Sequence, residues 1–255
     1  MDIQKAELKD ALYFSQFKDT PSHITAIFTN RKLNVSFHNQ LESQVKNNRS
    51  VILSKLGLKL DNLVCAQQTH SANAYIAQEK DKGRGAFIYE EAIFNMDAFI
   101  TKEKGLALAV FIADCLPVFI FDKIKDIVAI VHAGWKGTKQ SIVKKTIFMM
   151  HQAFESEPKD LVALLGPSIR RCCYEVGEEF KEYFKRGLYK NRNKLYLDTL
   201  EINYLQLKEA GILDNNIFDC GICTCCQNDK FFSFRKEKDI CGRQMALIVT
   251  TETRK

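Results

Sequence analysis

The chain has 255 residues, 46% of them hydrophobic and 27% charged, which is enough apolar material for a buried core in one domain. Lys and Arg number 37 against 31 for Asp and Glu, and the excess of 6 is spread along the chain, so no basic stripe dense enough to hold nucleic acid is formed. The segment Met1-Asp2-Ile3-Gln4-Lys5-Ala6-Glu7 has no apolar signal core, and Asp114 and Asp122 interrupt the longest apolar run, so a cytoplasmic protein with no membrane span is expected.

In chain order, a strand is predicted at His23 to Thr29 and a helix at Gln44 to Leu56. Strands follow at Asn62 to Gln67 and Asn73 to Ala77. The polar segment Gln78 to Glu91, with Gly83-Arg84-Gly85 inside it, reads as a mobile loop. Four more strands are predicted at Asp97 to Thr101, Leu106 to Ala113, Pro117 to Phe121 and Ile127 to Val131. A helix at Lys139 to Phe154 comes next, with Val143, Ile147, Met150 and Phe154 on one face that can pack on a sheet. The remaining expectations are a strand at Leu161 to Leu165, helices at Gly177 to Phe184 and Leu200 to Ala210, and strands at Phe231 to Phe234 and Met245 to Val249. Hairpin-scale connections such as Leu116-Pro117 argue against a pure βαβ repeat. The expected fold class is therefore α/β (mixed α+β), with mixed or antiparallel sheets covered by helices in a single domain over residues 1–255.

Three of the strand-like runs end near a soft metal ligand: Gln68-Thr69-His70, Ala113-Asp114-Cys115-Leu116-Pro117 and Val131-His132-Ala133-Gly134-Trp135. Strand ends are where sheet proteins usually place chemistry. Two imidazoles and a thiolate suit Zn²⁺, and three protein ligands leave a fourth tetrahedral position open, as a catalytic zinc requires. On spacing alone the alternative is two hydrogen-bonded structural histidines and one small buried thiol.

Nine cysteines also need an account, and in a reducing cytoplasm a disulfide framework is not expected. Cys220-Gly221-Ile222-Cys223-Thr224-Cys225-Cys226 could hold a metal, with Cys172-Cys173 or Cys241 completing the set. A second Cys-x-x-Cys pair is missing, which favours ordinary buried or partly exposed thiols.

The same motifs, together with Asp97-Ala98-Phe99-Ile100-Thr101, Gly166-Pro167-Ser168-Ile169, Cys173-Tyr174-Glu175-Val176-Gly177, Cys223-Thr224, Phe232-Ser233-Phe234-Arg235 and Gly242-Arg243, occur in the order seen in one bacterial family. The chain resembles the zinc-dependent purine nucleoside phosphorylases, a family also called polyphenol oxidase or laccase domain, from about Phe28 to Val249. The resemblance implies mixed β-sheets packed between helical layers, and phosphorolysis of adenosine, guanosine, inosine and methylthioadenosine with deamination of adenosine. It places Zn²⁺ on His70, Cys115 and His132, with purine nucleoside and phosphate as the partners. Multicopper laccase chemistry is not expected, because five histidines are too few for a blue copper site plus a trinuclear cluster.

Deamination asks for a zinc-activated water at C6 of adenine and a carboxylate to carry a proton to the departing ammonia. Beside the ligands Cys115 and His132, the catalytic candidates are Asp114, Asp97 and Glu175. Phosphorolysis asks for a bound phosphate, and Arg31, Arg235, Arg243 and Gln68 are the candidate substrate or phosphate contacts, joined by the amides after Gly134 where a helix is expected from about Thr138. In Phe28-Thr29-Asn30-Arg31-Lys32-Leu33-Asn34-Val35-Ser36 the family's paired glycines are replaced, so the loop carrying Arg31 is expected to take a different path. Two alternatives remain: a metal-free cysteine hydrolase with Cys115 as nucleophile and His132 as base, and a non-catalytic binding protein.

Overall fold

The computed structural model describes residues 4–8, 11–16, 21, 23–38 and 40–251. Two six-stranded sheets face each other. In the first, the order is Gln4–Leu8, Ala11–Gln16, Ile24–Thr29, Gln244–Thr250, Ala107–Ile112 and Leu63–Val64, antiparallel except for the last pairing. In the second it is Ile217–Asp219, Leu161–Leu165, Leu116–Asp122, Val128–Ala133, Ala98–Thr101 and Ala74–Ile76, antiparallel in the middle and parallel at both edges.

Why the strands read as unbroken apolar runs rather than alternating ones follows from the layering. Leu108, Val110 and Ile112 join Phe99, Phe119, Val128 and Ile130 between the sheets. Their neighbours Ala107 and Ala109 pack instead with Ile52 and Leu53 of the helix Glu42–Ser54. On the far side, Val118, Ile120, Ala129 and Val131 pack against Ile142, Val143, Ile147 and Met150 of the helix Ile142–Phe154 and Leu207 of the helix Thr199–Glu209. Each central strand is therefore covered on both faces, in the order helix, sheet, sheet, helices, which matches the mixed sheets between helical layers that were expected.

Several local expectations are corrected. Leu106 to Ala113 and Pro117 to Phe121 do not form a hairpin, because their strands, Ala107–Ile112 and Leu116–Asp122, belong to different sheets. The connection crosses the sandwich. Asn62 to Gln67 splits into Leu63–Val64 and Ala66–Gln67, which pair with different strands. Phe231 to Phe234 is not a strand: its end begins the short helix Phe234–Glu237, since Phe231 and Ser233 are buried as anchors rather than paired in a ladder. Only Phe180–Tyr183 of the Gly177 to Phe184 stretch is helical. The long helix starts at Ile142, separated by Ser141 at φ +60 from a short helix Trp135–Lys139 that begins earlier than the sequence suggests. Strands at Leu188–Asn191, Lys194–Leu197 and Ile217–Asp219 were not foreseen.

The Gln78 to Glu91 segment is tied down rather than free. Asp81, 2% exposed, accepts from the Gln78 amide, the Tyr75 hydroxyl and the Arg84 guanidinium. Arg49, buried from the helix Glu42–Ser54, donates to the carbonyls of Val35, Gly85 and Ala86 and is flanked by the rings of Phe37 and Phe111. Most polar side chains of this segment are exposed, but the buried Asp81 and the Arg49 contacts to its backbone fix its path, a role that composition does not reveal.

Candidate metal centre

His132 is the penultimate residue of the strand Val128–Ala133, with the same parity as Val128 and Ile130, so it faces the gap between the sheets. Register pairs Val131 with Ala98, which brings His132 opposite Asp97, and the His132 amide donates to the Asp97 carbonyl at 2.7 Å. Cys115 lies in the crossover from one sheet to the other, just after Asp114 at φ +83, a conformation that Asp tolerates better than most residues. His70 lies in a second crossover, between Ala66–Gln67 and Ala74–Ile76, at φ +59. All three ligands therefore collect at one mouth of the sandwich.

There the donor atoms of His70, Cys115 and His132 lie within 4.8 Å of one another, an arrangement that could hold a metal ion. Cys115 Sγ is 3.8 Å from His70 Nε2. A Cβ on Gly134 would come within 2.8 Å of His70 Cδ2 and 3.2 Å of Cys115 Sγ, so the backbone approaches the cluster as closely as only glycine permits.

Asp97 organises this arrangement from behind. Fully buried, its carboxylate accepts from the amides of Thr69 at 3.3 Å, His70 at 3.1 Å and Ser71 at 2.7 Å, from Ser71 Oγ at 2.7 Å and from His132 Nδ1 at 2.8 Å. The bond to Nδ1 turns His132 Nε2 towards the cluster, as a carboxylate behind a metal-ligating histidine does. Burial opposes ionisation of Asp97, but the hydrogen bond and charge of His132, followed by the Ser71 bonds, hold its carboxyl below the usual range. For Cys115, burial is outweighed by the charge and hydrogen bond of His132 and then by His70, bringing the thiol down to about 6. His132 rises to about 9, since Cys115 and Asp97 together overcome its burial.

The cluster opens into a cavity of about 1100 Å³. Phe37, Tyr89, Phe111, Trp135, Tyr174 and Phe234 supply aromatic walls, Arg235, Lys238 and Arg243 supply cationic groups, and His38 adds an imidazole. The other sequence candidates divide. Asp114 lines the cavity, but its carboxylate is engaged by Thr224 Oγ1, Ser233 Oγ and the Arg235 amide. Gln68 also lines it, with its amide locked onto the backbone N–H and C=O of Phe111. Arg235 donates to the Glu175 carbonyl, and Arg243 to the carbonyls of Cys241 and Gly242.

Arg31, Glu175 and Asp97 are not among the lining residues. Arg31 is occupied by Glu237 and the Asn228 carbonyl and lies over Phe232. Glu175 pairs with Lys194 at 2.8 Å. Sequence reasoning missed Phe37, His38, Glu42, Tyr89, Glu90 and Lys238. His38 was visible as one of five histidines, whereas Glu42 and Glu90 lie on segments whose place in the fold no motif announces.

The family model described as multi-copper polyphenol oxidoreductase laccase matches residues 23–251. The chain belongs to this family. It is 32% identical over 225 residues to the purine nucleoside phosphorylase YlmD of Bacillus subtilis, a match covering 85% of this chain and 81% of that protein. It is 32% identical over 197 residues to adenosine deaminase RL5 from an unknown prokaryotic organism, covering 74% and 75% of the two chains. Crystalline YlmD from Geobacillus stearothermophilus superposes with a TM-score of 0.93 at 28% identity, over 99% of this chain and 100% of that one. The family's name points to copper, whereas the cluster has one thiolate and two imidazoles, and the remaining histidines do not join it: His23 pairs with Asp126 and His151 with the Ser156 carbonyl, while His38 stands on the cavity wall.

Proposed function

We propose that the protein is a purine nucleoside phosphorylase with adenosine deaminase activity, acting at a zinc centre formed by His70, Cys115 and His132. The convergence of these three donors at the floor of an aromatic-lined cavity carries the reading. The donor set fits zinc: it is soft, it has three members, and one histidine is already oriented by a buried carboxylate. Zinc held there supplies Lewis-acid activation of a water or a purine substituent.

The chain's own groups do the rest. Aromatic side chains on the cavity wall offer faces for a purine ring. Arg235, Lys238 and Arg243 concentrate positive charge where a phosphate would face the ribose, and this assigns to the 235–243 segment the role the sequence also gave to Arg31. Asp97 positions His132 and the turn around His70, with its oxygens already occupied, and so acts through its neighbours. For proton transfer the carboxylates lining the cavity among the described residues are Glu42, Glu90 and Asp114; Asp114 is held by three donors and Glu42 carries an exposed pair with Lys46 at 3.2 Å, which leaves Glu90 and then Glu42 as the less engaged groups.

One observation favours a second reading. Cys115, His132 and Asp97 stand in the order of a nucleophile, base and orienting acid, and Cys115 is the easily ionised member. A cysteine hydrolase has no use, however, for a further imidazole 3.8 Å from its nucleophile. Product identification decides between them. Adenosine alone should yield inosine, and adding phosphate should divert part of it to adenine and ribose 1-phosphate, with both activities lost on chelation. Activity that survives chelation but is lost on thiol alkylation would establish the hydrolase, and ligand binding without turnover would establish a binding protein.

A further inference from the structure

A second cluster lies outside the cavity. Cys172 and Cys173 from one loop meet Cys223 and Cys226 from another, with all four Sγ atoms within 4.8 Å of one another. The separations are 3.7 Å for Cys172 to Cys223, 3.6 Å for Cys172 to Cys226 and 3.3 Å for Cys173 to Cys226. Four thiolates arranged tetrahedrally at about 2.3 Å from a zinc ion stand about 3.8 Å apart. The observed spacings are close to that edge, and they exceed by more than an ångström the roughly 2.05 Å of a disulfide. We propose that Cys172, Cys173, Cys223 and Cys226 bind a structural zinc ion, distinct from the centre formed by His70, Cys115 and His132.

The backbone prepares the four thiols locally. Arg170 O accepts from the amides of both Cys173 and Tyr174, which folds the first pair into a tight turn. Cys223 and Cys226 span a second turn, closed by Gln227 N donating to Cys223 O at 3.0 Å, so their three-residue offset brings both side chains to one side. The two turns are held in register by the Ser168–Cys223 bridge, with Thr224 N donating to Ser168 O at 3.1 Å. Cys172-Cys173 thus takes the place of the second Cys-x-x-Cys pair absent from the sequence.

The donor chemistry separates this site from the first. Four thiolates close the coordination sphere and leave no position for water or substrate, the pattern of a structural zinc. What surrounds it explains why one is useful. The apolar cluster here consists of Ile169, Cys223 and Cys225, with Cys173 and Tyr174 against it, so Ile169 is its single large aliphatic side chain, where the sandwich clusters have many. Yet Ile169 and Tyr174 line the nucleoside cavity, and Thr224 holds Asp114. A metal joining these turns would brace the cavity wall where packing is thin.

The test counts zinc per chain in protein purified under reducing conditions. The wild type should hold about two zinc ions, Cys115→Ala about one, and the double variant Cys115→Ala with Cys226→Ser none. X-ray absorption on Cys115→Ala should show four sulfur ligands at about 2.3 Å. Because Cys172 and Cys226 are exposed, their alkylation offers a readout on the unmutated protein. Both should resist the reagent until a chelator is added. A zinc-free Cys115→Ala protein that takes up no added zinc would overturn the proposal, as would a ligand shell containing nitrogen, a disulfide among the four thiols, or ready alkylation of Cys172 and Cys226 in the zinc-loaded protein. The result does not depend on the reaction at the first centre, whose loss in Cys115→Ala is read by nucleoside turnover.

Discussion

The two ligand clusters are built from overlapping residue types in opposite ways. His70, Cys115 and His132 come from the ends of strands and crossovers of a rigid sandwich, mix nitrogen with sulfur, are backed by the buried Asp97 and open into a cavity. Cys172, Cys173, Cys223 and Cys226 come from turns, are all thiols and have a thin apolar surround. The first is a place where rigidity is supplied by the fold and can be used for chemistry. In the second, the cluster would itself supply rigidity. Ligand number and the source of order, rather than ligand identity alone, distinguish a reactive site from a structural one.

The strongest way to break that comparison is to remove a ligand from the first cluster. His132→Ala should lower both proposed nucleoside activities by several orders of magnitude, measured as product formed from adenosine with and without phosphate, because the metal proposed to activate the nucleophile would be lost. A loss of only a few fold would mean that the cluster is not the reactive centre.

A smaller effect is expected behind the ligands. Asp97→Asn keeps the shape of the side chain but replaces one acceptor oxygen with a donor, facing amides and a ring N–H that all require acceptors. Zinc affinity at the first centre, measured by chelator competition, should fall by about 10- to 100-fold, with the Cys172 cluster unaffected. Equal weakening at both centres would indicate global loosening instead.

The pH response should distinguish the centres as well. Zinc at the first centre needs Cys115 as thiolate and His132 neutral, and without metal these groups titrate at about 6 and about 9 respectively. Between those values His132 must give up a proton for zinc to bind, so affinity should fall about tenfold for each pH unit of acidification. Below about 6 the Cys115 thiol must be deprotonated too, and the slope steepens; above about 9 neither group opposes binding. Titration of Cys226→Ser, which isolates the first centre, checks this, and an affinity independent of pH from 6 to 9 would contradict it.

The smallest effects separate the arginines. Arg243→Ala should raise the phosphate concentration needed for phosphorolysis by about tenfold and leave phosphate-independent deamination nearly unchanged, as expected for loss of a charge-assisted anion contact. Arg31→Ala should leave the phosphate requirement unaltered and cost at most about 1 kcal/mol in thermal unfolding, since the ion pair with Glu237 is partly exposed. A phosphate effect at Arg31 as large as at Arg243 would return the anion site to that loop.

The layered fold was largely legible because its central strands are apolar on both faces and its long helix carries one apolar stripe. The crossovers were not. Leu106 to Ala113 followed by Pro117 reads locally as a hairpin, and nothing in those residues says that the two strands pair with different neighbours. Phe231 and Ser233 were misread for a related reason: burial produces apolar sequence whether or not a ladder of hydrogen bonds accompanies it.

Sequence by itself determined the donor types and their order along the chain, because these depend only on residue identity. Tertiary structure alone decided which distant residues meet. It joined Cys172-Cys173 to Cys223 and Cys226 while leaving Cys220, Cys225 and Cys241 outside the cluster, directed the Gln68 amide to the Phe111 backbone, and diverted Arg31 to Glu237 while Arg243 reached the cavity. The reason is physical: these pairings join side chains tens to hundreds of residues apart, and their distances are set by how the sheets and crossovers pack, which no local spacing encodes.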